Sequence, residues 1–128
     1  MTLNHVALSC SSEQKADNFY QGVLGLKRMK SALLPKDLTR RIFAVDLECP
    51  VILYGNDHLS VEVFLAGAPD SRSPRFEHIC LEVKNRESFQ KTCEAMNVEV
   101  NVVPKGDRLL MFVKDYDGNM FEIKEALT

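Results

Sequence analysis

No run of apolar residues in this chain approaches the length of a membrane span, so no membrane-crossing helix is expected. The opening stretch, MTLNHVALSC, has no basic segment followed by an apolar core, so no secretory leader is expected there. The four cysteines, Cys10, Cys49, Cys80 and Cys93, form no CxxC pair. That spacing argues against a disulfide framework and for free thiols in a reducing, cytoplasmic setting. Charge of one sign is not in excess either: 16 Lys and Arg face 18 Asp and Glu, a net charge of −2. General binding of nucleic acid or other polyanions is therefore not implied. The one local excess is Lys27, Arg28, Lys30, Lys36, Arg40 and Arg41, set against Asp37. A solvated strand edge and loop is the plainer reading; a rim that attracts an anionic small-molecule substrate is the sharper one.

What is present is a chain of 128 residues, 45% of them hydrophobic, enough for one domain with a real core. Two short segments resemble each other: LNHVAL from Leu3 and FEHICL from Phe76. Each carries one histidine in the same register. Around them the pattern repeats. Leu3–Ser9 reads as a strand. SSEQKADNFYQGVLG reads as a helix, with Ser11 and Gln14 spaced for a capping box, an apolar stripe at Ala16, Phe19, Tyr20 and Val23, and Gly25 as the C-cap. LKRMKSALL and TRRIFAVDLE read as strands, PVILYGND as sheet or turn, and LSVEVFLAG as a strong strand. GAPDSRSPR is a linker by its Gly, Pro and Ser content. Beyond it, FEHICLEV is a strand and NRESFQKTCEAMN a helix with Asn85 as N-cap. VEVNVVP, RLLMFVKD and MFEIKEA are strands, with a turn at YDGN. The expected organisation is α+β: two tandem βαβββ modules, residues 1–66 and 76–128, joined by a linker over 67–75 and building a cupped mixed sheet.

Strand parity singles out four polar side chains. Alternate residues of a strand share a face. Val61, Val63 and Leu65 share one face and Glu62 takes the other, with Phe64. Phe121 and Ile123 oppose Glu122. Ile79, Leu81 and Val83 oppose His78, which sits with Phe76 and Cys80. Val6 and Leu8 oppose His5. Each module thus supplies one His on its first strand and one Glu on its last. If the modules close toward each other, His5, Glu62, His78 and Glu122 converge, a donor set suited to a divalent metal ion such as Zn, Ni, Fe, Mn or Co. Any one of these residues alone would read as a surface or hydrogen-bonded side chain; the matched repetition favours the metal. His58, in the GNDHL turn, has no counterpart in the second module and reads as surface.

The stretches NHVALSC, ADNFYQGVLGLK, VEVF, EHICLEV and FVKDYDGNMFEI together resemble the vicinal oxygen chelate superfamily, which includes glyoxalase I, bleomycin-resistance proteins and dioxygenases. The resemblance spans essentially the whole chain. It implies one divalent metal per site, held by His5, Glu62, His78 and Glu122 as in bacterial glyoxalase I-like members. It also implies a lyase or isomerase that works through a metal-bound enediolate on a small oxygen-rich substrate. Glu122, then Glu62, are the candidate proton-transfer bases, and Phe64, Phe76, Cys80 and Met111 the candidate lining of the substrate cup. Two alternatives stand beside it: an Fe(II)-dependent dioxygenase, and a non-catalytic binding module of the bleomycin-resistance kind. Where glyoxalase I carries an arginine that helps hold glutathione, this chain has Ser9, which leaves the use of glutathione open. The resemblance further implies a homodimer, with the metal site within one chain or shared between two.

Overall fold

The structure, a computed structural model, describes residues 1–67 and 76–127. The chain divides into two compact units, Met1–Pro69 and Asp70–Thr128. The predicted linker, residues 67–75, lies outside the described residues except for Gly67.

In the first unit, β1 (Val6–Ser9) leads into α1 (Glu13–Ala16). Ser12, not Ser11, is the N-cap: its side chain accepts from the Lys15 amide, so the cap falls one residue past the predicted one, with Lys15 where a capping box would place Glu or Gln. The helix continues as a π-helical segment over Asp17–Val23, where the Leu24 amide reaches back to the Phe19 carbonyl. The widened turn brings Phe19, Tyr20 and Val23 together on the buried side. Gly25, at φ +71°, ends the helix in the left-handed conformation that glycine adopts most cheaply. Then follow β2 (Lys27–Leu34), α2 (Lys36–Phe43), β3 (Cys49–Gly55) and β4 (Ser60–Phe64).

α2 corrects the expectation of a strand over TRRIFAVDLE. Pro35 sits at its start with extended backbone, where a missing amide proton costs nothing. Ala44 closes it in the left-handed region at φ 58°. Thr39 is buried inside this excursion and donates its hydroxyl proton to the carbonyls of Leu47 (2.6 Å) and Lys36 (3.0 Å). These bonds fasten the segment after the helix back onto it.

The second unit has no such insertion. β5 (Ile79–Val83) is followed by α3 (Arg86–Ala95), capped by Asn85 through the Ser88 amide. β6 (Val100–Lys105) and β7 (Arg108–Lys114) form a tight hairpin with Gly106 at φ +62°. The predicted YDGN turn then leads to β8 (Met120–Glu125). Buried Asp115 sets that turn: its carboxylate accepts from the amides of Asp117 (3.0 Å) and Asn119 (2.8 Å) and from the Asn119 side chain (2.8 Å).

Both sheets are four-stranded and mixed, in the corresponding orders β1-β4-β3-β2 and β5-β8-β7-β6. In each, the first strand lies parallel to the last and the others are antiparallel. One face of each sheet is covered by the helix. In the first unit Phe19, Tyr20 and Val23 are buried, as are Ile52, Tyr54, Val61 and Val63 of the sheet, and Tyr20 stacks on Tyr54 at 5.4 Å. In the second, Phe89 and Cys93 are buried together with Val113, Phe121 and Ile123. Each fully buried aliphatic or aromatic side chain contributes roughly 1.5–3 kcal/mol. The opposite face of each sheet is left for chemistry.

Candidate metal centre

The strand that follows each histidine and the Glu-bearing strand are neighbours in each sheet. Parallel pairing sets Ala7 beside Glu62 and Cys80 beside Glu122. His5 lies two residues before Ala7, and His78 two before Cys80, so the register is the same in both units. β1 and β5 are each shorter than the predicted strands Leu3–Ser9 and FEHICLEV, and His5 and His78 sit just ahead of them. His5 Nε2 lies 3.9 Å from Glu62 Oε2, and His78 Nε2 lies 3.5 Å from Glu122 Oε2. The Glu62 side chain is 29% exposed and that of Glu122 18%.

The far side of each imidazole is also occupied. His78 Nδ1 donates to the Phe76 carbonyl at 2.7 Å, since a carbonyl can only accept. His5 Nδ1 is 2.9 Å from the Asn4 side-chain oxygen, an acceptor of the same kind. A neutral histidine whose proton is on Nδ1 presents a lone pair at Nε2. In both units Nε2 is turned toward a carboxylate oxygen. The separations are too long for a hydrogen bond. Two donors each about 2.1 Å from one six-coordinate ion lie roughly 3.0 Å apart at adjacent positions, so each pair would close slightly around an ion. A second partner that fixes the tautomer of a ligating histidine is the usual arrangement at metal sites. Each pair is therefore chemically fit for a divalent ion. Among the described residues, no three His, Cys, Asp or Glu side chains gather into a group that could hold one. What each unit offers is a pair of donors.

The predicted lining residues are placed differently from one another. Phe64 is half-buried on the Glu62 face and meets the Phe43 ring edge-on at 5.4 Å. Phe76 is 95% exposed, and what it brings to the site is its carbonyl. Cys80 shares the Glu122 face; its thiol is pushed up, first by loss of solvent and next by the Glu122 charge. Met111 is 3% exposed and sits with the helix-side core, on the other face of β7 from Glu122. Its neighbour Phe112 is the residue paired with Glu122, and its ring meets the His78 ring edge-on at 5.8 Å. The sequence held that signal: counting back through the YDGN hairpin places Phe112, not Met111, opposite Glu122. His58 is exposed, its amide bonded to the Asn56 side chain in the turn.

A feature that the sequence reading did not reach lies beside His5 and Glu62. A cavity of about 230 Å³ opens on the same sheet face, floored by Ala7, Ser9 and Phe64 and roofed by Phe43, Val45 and Leu47. Cys49 also lines it, its thiol pushed up by burial. The basic segment nearby is largely neutralised. Arg28 pairs with Glu13 and Asp17, and its guanidinium is held even more firmly protonated, chiefly by the Glu13 bond. Lys36 and Arg40 pair with Asp46, and Arg41 with Asp37. The plainer reading of that cluster is the one these ion pairs favour. No helix among the described residues is long and apolar enough to cross a membrane.

Several solved structures share the fold. The fosfomycin resistance protein FosX of Listeria monocytogenes, in a crystal structure with Mn(II) and a sulfate ion, is 16% identical. The match covers 98% of this chain and 93% of that one, with a TM-score of 0.73. FosX of Mesorhizobium loti is 11% identical over 98% of this chain and 92% of that one, TM-score 0.72. A glyoxalase family protein from Enterococcus faecalis is 18% identical over 95% of each chain, TM-score 0.72. At such identities the likeness is one of fold. No curated protein matches the sequence. The family model for the Glyoxalase/Bleomycin resistance protein/Dioxygenase superfamily matches residues 2–123. With two matching βαβββ modules and that match over nearly its full length, the chain belongs to this superfamily.

Proposed function

We propose that this chain is a divalent-metal-dependent enzyme that moves a proton next to a carbonyl in a small oxygen-rich substrate. The observation that carries this reading is the repeated His–Glu pair, at 3.9 and 3.5 Å, with each histidine anchored through Nδ1. His5, Glu62, His78 and Glu122 would hold the ion, the two pairs coming from one chain or from two. A bound divalent ion supplies Lewis acidity toward two neighbouring substrate oxygens, making the adjacent C–H more acidic. Glu122 takes that proton and returns it to the neighbouring carbon; Glu62 is the second choice for this role. The Glu122 carboxylate is the more enclosed of the two, and the Phe112 ring meets His78 edge-on beside it. Mn(II) in the FosX crystal structure supports a divalent ion on this fold. A homodimer is part of the reading, because β1 and β5 are edge strands within their own sheets and such edges pair readily.

The test is solvent exchange. Protein stripped with chelator and reloaded with Ni, Zn, Mn, Co or, under argon, Fe(II) is incubated in D₂O with a panel of 2-oxoaldehydes and 2-hydroxyketones. Deuterium at the carbon next to the carbonyl, seen by NMR only with metal and lost in Glu122→Gln, is the expected result. Oxygen consumption with Fe(II) alone would identify the dioxygenase instead. Tight ligand binding without metal or turnover would identify a binding module.

A further inference from the structure

We propose that the cavity beneath α2 is the pocket for an uncharged, apolar group of the substrate, an aromatic ring or a compact branched chain. The substrate's paired oxygens then lie at the His5–Glu62 end, so the inference rests on the metal-site reading of that pair.

The position comes from the register. Ala7, in the cavity floor, is the strand partner of Glu62, and Phe64 is the next residue on the same face. Same-face neighbours along a strand are about 7 Å apart. A ring attached directly to a pair of oxygens near Glu62 therefore reaches over Ala7 and Phe64. The size fits as well. An enclosed apolar cavity of about 150 Å³ accepts benzene; this space, open to solvent past the half-exposed Phe43, Val45 and Leu47, is about 230 Å³.

The chemistry of the walls excludes an anion. None of the lining residues is a lysine or an arginine. The Thr39 hydroxyl proton is committed to the Leu47 and Lys36 carbonyls. The nearest cations in the sequence, Lys36, Arg40 and Arg41, are engaged with Asp46 and Asp37. A sulfate or phosphonate group pushed into this space would lose its water with no cation in the lining to offset its charge, Ser9 being the one further hydroxyl there beside Thr39. The roof belongs to the first unit alone: β6 and β7 of the second unit are joined by a tight turn, where the first unit places α2. The insertion therefore gives the His5–Glu62 pair a roofed apolar cavity, whereas the His78–Glu122 pair has the Phe112 ring from its own unit but no such roof.

Two measurements decide the matter. First, benzyl alcohol is titrated into metal-free protein and followed by ¹H–¹⁵N NMR. The amides of Ala7, Ser9, Phe43 and Phe64 should shift and saturate, and methylphosphonate should leave them unmoved. Ala66 is exposed and also lines the cavity, and Ala66→Phe, which places a ring there, should abolish the shifts. Phe43→Ala, at a half-exposed position, should weaken binding by at least about threefold through loss of roof contact. Second, protein loaded with Mn²⁺ is titrated with benzohydroxamate and acetohydroxamate, which chelate alike and differ by phenyl against methyl. The phenyl compound should bind about thirtyfold more tightly, as expected for burial of a ring, and Ala66→Phe should erase most of that ratio. Equal affinities for the two hydroxamates, unmoved cavity amides with benzyl alcohol, or shifts with methylphosphonate would overturn the proposal. Failure to load Mn²⁺ would count against the metal reading alone, and the benzyl alcohol titration would still decide the pocket.

Discussion

Tyr54→Phe removes one oxygen atom from the first unit and should be costly. Tyr54 is fully buried on β3, stacked on Tyr20, and its hydroxyl donates to Asp17 Oδ1 at 2.7 Å. Asp17 opens the π-helical segment, so this bond ties the helix to the sheet behind the His5–Glu62 face. Burial, and next the bond to Asp17, push the phenol above its usual range, so it remains a donor through neutral and mildly alkaline pH. A hydrogen bond to a charged acceptor contributes about 1.5–3 kcal/mol. Asp17 keeps Arg28 at 3.3 Å and is 30% exposed, so water can partly replace the lost donor. The expected cost is then about 2 kcal/mol, near the lower end of that range. At a urea slope of roughly 1.5 kcal/mol/M, the unfolding midpoint should fall by about 1.3 M. The cycle with Asp17→Ala isolates the bond: in that background Tyr54→Phe should cost less than about 0.5 kcal/mol. The same cost in both backgrounds, or a midpoint unmoved by Tyr54→Phe, would refute the reasoning.

Gly25→Ala should lose about 1–2 kcal/mol from backbone strain alone, because φ is +71° and a Cβ there meets nothing within 4 Å; an unchanged urea midpoint would contradict this. Burial pushes the Cys93 thiol up to about 11 from its ordinary 9.0. The folded pKa is the higher one, so the stabilisation is complete below pH 9 and is lost as pH rises from 9 toward 11. Wild type should lose roughly 2–3 kcal/mol across that window from this thiol, and Cys93→Ala should show a correspondingly flatter profile in urea titrations at pH 8 and pH 10.5.

Much of this architecture was legible because a period of two is robust where one face is buried. Val61 and Val63 around Glu62, and Phe121 and Ile123 around Glu122, set which way the carboxylates face, and the structure keeps that parity. The same rule misled at Phe43, Val45 and Leu47. Their alternation reads as a strand, yet the backbone there is a helix end, a left-handed Ala44 and an irregular return fixed by the Thr39 hydroxyl. The apolar stripe is real, but it roofs a cavity instead of facing a core. No local pattern announces that, since the bond that makes it joins residues eight apart. Met111 and Phe112 show the other limit: both are apolar, and only the hairpin register tells which one faces Glu122.

The central claim is that the two His–Glu pairs bind metal. Its most direct test is the metal content of protein purified without chelator or nickel resin, for wild type beside Glu62→Ala and Glu122→Ala. About one divalent ion per chain in wild type, lost in both variants while their folds persist, is the predicted result. No metal in wild type, and none taken up from added Ni²⁺, Zn²⁺, Mn²⁺, Co²⁺ or Fe²⁺, would contradict it.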